Sequence, residues 1–374
     1  MDFAFSEEQE DLKGLAEQVL QGELTIERLK EVEGGDDNFD RELWKKLADV
    51  GVLGIAIPEA HGGGGLGFLE TALVLEQVGR TVAPVPYYAT VVLGALPIAK
   101  FGSDDLQSAV LPGVVSGDTI ISAALVELGA DPLQPVTTAK PDGDGYVLDG
   151  VKDCVPGGPL VDKVLVPAST PDGKVVLALV DIGAKGITSE RQETTNHHPE
   201  ARLTLEGVKV AAGDLVGSPD NGEALAWTVE RATAALCAIA VGLCEEALRM
   251  TAEYTKTREQ FERPIATFQA VGQRAADAYI DTEAVRLTAW QAIWRLSEEL
   301  PATAEVAVAK FWAAEGGQRV VHAAQHLHGG MGVDRDYPLH RYFLWAKVIE
   351  LTLGGTTPQL LKLGKILADT PVAV

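Results

Sequence analysis

The stretch TREQFERPIATFQ, residues 257 to 269, sets Arg258, Gln260, Phe261, Phe268 and Gln269 around Pro264. The proline interrupts a helical pattern, so one long helix ends here and another begins. At such a junction a planar guanidinium suits a pyrophosphate, and a ring suits the edge of an adenine. An ordinary structural turn would use the same residue types. Downstream, QHLHGGMGVDRDYPLHR, residues 325 to 341, puts Gly329 and Gly330 after a helical pattern. Adjacent glycines end the helix and let a ligand or another backbone approach closely.

Other candidates are weaker. His322 and His326 share an i, i+4 spacing, and His328 follows, but no Glu is interleaved as in a His-Glu-x-x-His zinc helix. Packing or hydrogen bonding is the expected role, with no metal site. His197 and His198 are adjacent and would point to opposite faces of a strand, so a surface loop is expected. HGGGGLGF, residues 61 to 68, lacks the Gly-Lys-Ser/Thr of a phosphate loop and is expected to be a flexible turn.

The elements around these residues follow from spacing. Ser6 and Gln9 form a capping box with Phe5 as staple, ahead of apolar residues at helical intervals. Helical patterns continue through DRELWKKLADVGVLG, GFLETALVLEQVGR and ATVVLGALPIAKFG, giving a helical domain over residues 1–115. Runs rich in β-branched residues then take over, YVLDGVK, KVLVPAS, VVLALVDI and ARLTLEGVKV, with Pro171-Asp172-Gly173 as a hairpin turn. Residues 116–217 are expected to form an antiparallel β domain. Long helices return near 222–257, 268–299 and 302–326, so 218–374 reads as a four-helix bundle closed by a shorter segment after Gly355. The fold class is α+β.

The net charge of −23 repels polyanions and argues against nucleic acid, while local arginines can still take a small anion. Cys154, Cys237 and Cys244 show neither a paired framework nor metal-ligand spacing. The start, MDFAFSEEQEDL, lacks the basic and apolar parts of a signal peptide. The longest apolar run, ATAALCAIAVGLC, falls short of the roughly 20 residues that span a bilayer. A cytoplasmic protein without a membrane segment is expected.

Together and in this order, TREQFERPIATFQ and HLHGGMGVDRDYP resemble the C-terminal domain of the flavin-dependent acyl-CoA dehydrogenases. The helical, β, helical order extends the resemblance over essentially the whole chain. The resemblance implies an acyl-CoA substrate, FAD and an electron-transfer flavoprotein as acceptor. In that family a carboxylate removes the α-proton of the thioester while the β-hydrogen leaves as hydride. The carboxylate usually lies in Tyr-Glu-Gly-Thr; the matching residues here are Leu353-Gly354-Gly355-Thr356, with Gly354 at the place of the base. The family's Trp-Ile-Thr/Ser against the flavin ring becomes Cys154-Val155-Pro156, and its Thr-Glu-Pro-Gly-Ala-Gly-Ser-Asp loop becomes Val126-Glu127-Leu128-Gly129-Ala130-Asp131.

By contrast, Arg258, Phe261, Phe268, Gln269, Gly329 and Gly330 match the positions that hold the adenine and pyrophosphate of a neighbour's FAD. His326 stands where glutamine is usual, and Thr356 also matches a cofactor position. This combination resembles the base-less subunit of the α2β2 acyl-CoA dehydrogenases of actinobacterial steroid side-chain degradation, whose partner paralogue supplies the catalytic glutamate and the ring contacts. An alternative places the base at Glu230, beside Arg231 as a substrate-side residue, because some family members carry their base on this helix immediately before an arginine. Residues adjacent in a helix point about 100° apart, so Glu230 could face substrate while Arg231 braces a neighbouring helix. An exposed surface acid is the simpler reading of Glu230. A subunit that only stabilises a complex or binds acyl-CoA is the third option.

Overall fold

The computed structural model of the chain describes residues 4–369; residues 1–3 of the acidic start and 370–374 lie outside the described residues. Helices come first: α1 Glu7–Glu23, α2 Ile26–Glu33, α3 Arg41–Asp49, α4 Phe68–Thr81, a π-helical stretch Tyr88–Ala95, α5 Leu96–Phe101 and α6 Asp104–Val115. Strands β1 Ile121–Ala123, β2 Thr138–Asp142, β3 Gly145–Pro156, β4 Lys163–Ser169, β5 Val175–Asp181, β6 Ile187–Glu193 and β7 Pro199–Val210 follow. Long helix α7 Glu223–Thr257 leads to the short pair β8 Glu259–Gln260 and β9 Arg263–Pro264. Helices α8 Gln269–Ser297, α9 Thr303–His328, α10 Leu339–Leu351 and α11 Thr356–Asp369 complete the α+β fold.

These elements pack as two compact units. One takes the described parts of Met1–Arg28, Thr71–Ala83 and Thr233–Val374, and the other Leu29–Glu70 and Pro84–Ala232.

In the first unit, the Ser6 hydroxyl accepts from the Gln9 N–H at 3.2 Å and the Gln9 side chain accepts from the Ser6 N–H at 3.0 Å, the expected capping box. Phe5 does not act as a staple, because the fourth helical residue is Glu10; its ring packs edge-on against Trp290, 5.0 Å between centroids. Helices α4 and α7 cross at glycines. A Cβ on Gly79 would fall 2.0 Å from the Ile239 carbonyl oxygen, and one on Gly242 1.8 Å from that of Glu76. Close approach of two backbones therefore needs both glycines. Helix α7 is long and apolar enough to cross a bilayer, but 83% of its most apolar window is buried inside the protein, as in a core helix.

The second unit holds the seven-stranded sheet, ordered β1-β4-β2-β3-β7-β6 with β5 on β4. It is not wholly antiparallel as expected: β1 pairs with β4 in parallel, and Thr138 of β2 meets Ser169 of β4 in the same sense. The long chain between β1 and β4 permits this, since parallel strands need an extended crossover. The Pro171-Asp172-Gly173 turn joins β4 to β5 with Gly173 at φ 79. Val164, Val166, Val176, Leu203 and Leu205 fill the core under the sheet.

HGGGGLGF is not a loose turn. The N–H groups of Gly64, Gly65 and Leu66 each donate at 2.9 Å, to Gly54, Ile57 and Ile55 respectively. A Cβ on Gly63 would lie 2.1 Å from the Ile57 carbonyl oxygen, so close packing explains that glycine, and left-handed backbone at φ 85 and 65 explains Gly62 and Gly65.

Candidate functional site

Strands β8 and β9 make a small hairpin, Glu259 opposite Pro264 and Gln260 opposite Arg263. Its turn is Phe261-Glu262, at φ 52 and 64. Tight two-residue hairpins demand left-handed backbone, but bulky side chains rarely adopt it. Such strain persists where the surroundings over-determine it and gathers at ligand clamps. Phe261 is 87% exposed, and its ring lies edge-on to Phe268 at 6.1 Å. Arg258 and Gln269 are exposed as well.

The glycine pair belongs to the same neighbourhood. The Arg258 N–H donates to the Tyr254 carbonyl at 2.8 Å, and the Tyr254 ring stacks on His328 at 4.3 Å. Helix α9 ends at His328; Gly329 follows at φ 59, ψ −134, a region essentially reserved for glycine. Gly329 and Gly330 are exposed, and a Cβ on either would meet nothing within 4 Å. His326, one short turn earlier, is also exposed.

His328 is buried for packing: Nδ1 lies 2.8 Å from the Ala324 carbonyl and Nε2 3.1 Å from the Tyr337 hydroxyl. Burial holds its pKa below the usual imidazole range. Among the described residues no group of three His, Cys, Asp or Glu is arranged to hold a metal ion. His197 lies exposed in a turn at φ 59, while burial pulls the neighbouring His198 down to about 4.

The loop between α10 and α11 has the opposite character. Leu353 and Gly354 are left-handed, at φ 55 and 91. Lys310 of α9, fully buried, donates from Nζ to the carbonyls of Ile349 at 2.8 Å, Glu350 at 3.1 Å and Gly354 at 3.1 Å. Gln359 Nε2 donates to the carbonyls of Leu353 at 2.9 Å and Gly354 at 3.3 Å. The end of α10 leaves orphan carbonyls, which the ammonium satisfies. Burial pulls the Lys310 pKa down to about 8. Gly354 brings no proton acceptor, and a Cβ there would press on Gln359 Nε2 and Pro358 Cβ, each at 3.2 Å. The Thr356 hydroxyl donates to Glu315 Oε2 at 3.3 Å.

In the second unit, Glu127 anchors its loop. Its carboxylate accepts from the Val136 and Thr137 N–H groups and from Lys152 Nζ at 2.7 Å. Burial opposes ionisation of Glu127, but the Lys152 charge and these hydrogen bonds outweigh it and hold the carboxyl below its usual range. Leu128, next along, is 91% exposed. Cys154 sits in a bulge of β3 at φ 49, and its N–H is taken by Gln192 Oε1 at 2.7 Å. Burial raises the Glu200 carboxyl to about 7, and burial together with Glu200 pushes the Cys154 thiol up to about 11. Pro156 has no N–H to give.

Glu230 lies in the second turn of α7 and is half-buried rather than a fully exposed acid. Arg231 is buried, its guanidinium 3.8 Å over the Trp227 ring and 6.0 Å from that of Phe68. This aromatic packing accounts for the arginine within its own unit.

Residues 6–118 match the family model for the acyl-CoA dehydrogenase N-terminal domain, and residues 223–367 that for the acyl-CoA dehydrogenase C-terminal domain. The chain belongs to the acyl-CoA dehydrogenase family, oxidoreductases that act on a CH–CH bond. Among particular proteins, it is 45% identical to acyl-CoA dehydrogenase FadE27 of Mycobacterium tuberculosis, over 99% of this chain and 100% of that one. It superposes on a chain of the ChsE4-ChsE5 complex from Mycobacterium tuberculosis with a TM-score of 0.95 at 45% identity, covering 100% of both. A chain of a variant of the Tcur3481-Tcur3483 steroid ACAD matches with a TM-score of 0.91 at 46% identity, covering 97% of this chain and 98% of that one.

The residues present fit one half of a bound FAD. An exposed cation, the exposed Phe261 ring beside the half-buried Phe268 and an open diglycine suit the adenosine diphosphate end. At the ring end, the Cys154 N–H is already spent on Gln192 and Pro156 cannot donate, so that half does not fit.

Three residues escaped the sequence reading: Lys310, Glu200 and Arg263. Lys310 left a signal, since it interrupts the apolar face of VAVAKFWAA with Val306, Ala307, Ala313 and Ala314 at helical spacing around it.

Proposed function

We propose that this chain is the base-less subunit of a heteromeric, FAD-dependent acyl-CoA dehydrogenase. A base-bearing paralogue supplies the carboxylate and the ring contacts, and the assembly is α2β2. The substrate class is the CoA thioester of a steroid side chain, in keeping with the steroid enzyme named among the relatives. An electron-transfer flavoprotein serves as acceptor, in the cytoplasm.

One observation carries this reading: the loop at the base position offers only Gly354, held by Lys310 and Gln359 in left-handed backbone. A positioned base contributes roughly 10² to 10⁴ in rate, so the acid–base step requires a carboxylate from elsewhere. Bound FAD would accept the hydride; this chain's part is to hold the tail with Arg258, Phe261, Phe268, Gln269, His326, Gly329 and Gly330, with Thr356 near its other contacts in the family.

The half-buried position of Glu230 keeps the second reading, a self-sufficient enzyme, within reach of a test. The complex should be co-expressed with its base-bearing paralogue and assayed for 2-enoyl-CoA formation. Glu230→Gln in this chain is expected to change the rate less than about twofold. A loss of more than about 10² would overturn the assignment and make Glu230 the base.

A further inference from the structure

The two phosphates of a dinucleotide tail need more than one cation in a protein of net charge −23, and the hairpin holds a second candidate beside Arg258. We infer that Arg263 is a further tail-binding residue, set by the hairpin register to share the diphosphate with Arg258. This rests on the tail-holding role proposed above.

Gln260 pairs with Arg263, Glu259 with Pro264, and the Ile265 N–H donates to the Arg258 carbonyl at 2.8 Å. Directly paired residues share a face of a ladder, so Gln260 and Arg263 do, while Arg258 is the residue just before β8. The Ile265 N–H on the Arg258 carbonyl carries the ladder one step past β8 and keeps Arg258 at the base of the same hairpin. Both arginines are exposed, and among the described residues neither is in an ion pair, whereas Arg80, Arg249, Arg286 and Arg319 each hold a carboxylate.

The Arg263 guanidinium lies 4.2 Å over the Phe268 ring. Stacking fixes its plane and leaves its N–H edge free for oxygen, a pre-organisation that lysine cannot reproduce. Phe268 is also the residue before α8, whose start carries no side-chain cap. The positive end of a 29-residue helix therefore adjoins Arg263.

The test is ADP titration by calorimetry of the purified full-length protein, with FAD retention after dialysis of the co-expressed complex as a second readout. Arg263→Ala should weaken ADP about tenfold or more, as loss of a charge-assisted hydrogen bond does. Arg263→Lys should recover only part of that, and Arg258→Ala should weaken ADP by a similar factor. Unchanged ADP affinity and FAD retention in Arg263→Ala, alongside a loss in Arg258→Ala, would overturn the Arg263 assignment and leave the tail site standing. Wild-type protein that binds no ADP, in a complex that retains FAD equally with or without Arg258, would overturn both.

Discussion

Two left-handed turns of the first unit, Phe261-Glu262 and Leu353-Gly354, both hold positive φ in opposite surroundings. The first faces solvent, with Phe261 exposed and Arg258 and Arg263 without carboxylate partners among the described residues. The second is held from beneath by Lys310 and from its C-terminal side by Gln359, and carries no ionisable side chain on Leu353 or Gly354. Strain alone therefore does not mark a site. It supports the proposed tail site at the hairpin because polar and aromatic groups there are left exposed around it. Where internal donors hold the turn's carbonyls, as Lys310 and Gln359 do at Leu353-Gly354, the left-handed backbone is scaffold.

The largest effect on this contrast should come from Lys310→Met. It strips a donor from the carbonyls of Ile349, Glu350 and Gly354, costing about 1–3 kcal/mol at neutral pH. The folded pKa of Lys310, about 8, lies below the ordinary lysine value of 10.5, so the unfolded chain binds the proton more tightly. Stability of the wild type should therefore rise as pH climbs from 8 towards 10.5, and below 8 the charging penalty is fully present. Thermal melts at about pH 7 and about pH 9.5 should show the gap between wild type and Lys310→Met widening at the higher pH. By comparison, Arg258→Ala and Arg263→Ala should leave the melting temperature nearly unchanged while weakening the ligand.

A smaller effect is expected from Gly354→Glu, which returns a carboxylate to the base position. The backbone at φ 91 and the contacts at 3.2 Å oppose it, so about 1–2 kcal/mol of stability should be lost. No dehydrogenation by the isolated chain should appear if, as proposed, the ring contacts come from the partner. Turnover in this variant alone would show the closed loop to be a working site missing one side chain.

The sequence shows some of this and hides the rest for physical reasons. Long helices announce themselves through apolar spacing and caps, and Ser6 with Gln9 foretold the first helix start. Strand β6, ITSERQE, escaped because it is a mostly exposed polar edge with no alternating pattern. The π-helical stretch over Tyr88–Ala95 is buried almost throughout, so it reads as an ordinary apolar helix. At the site, Arg258, Phe261 and the glycines were legible as a motif. Arg263 was not, since its stacking on Phe268 depends on a turn that two bulky residues would not ordinarily form. The burial of Glu200 depends on chain distant in sequence, which no local pattern records, whereas Arg231 has a local partner in Trp227, one turn earlier on α7.

As proposed above, this chain holds a flavin's tail without possessing a complete flavin site. The most direct measurement is the visible absorbance spectrum of the protein purified alone and again after co-expression with a base-bearing paralogue. Flavin absorbance should appear only in the co-expressed complex; stoichiometric flavin in the protein purified alone would contradict the account.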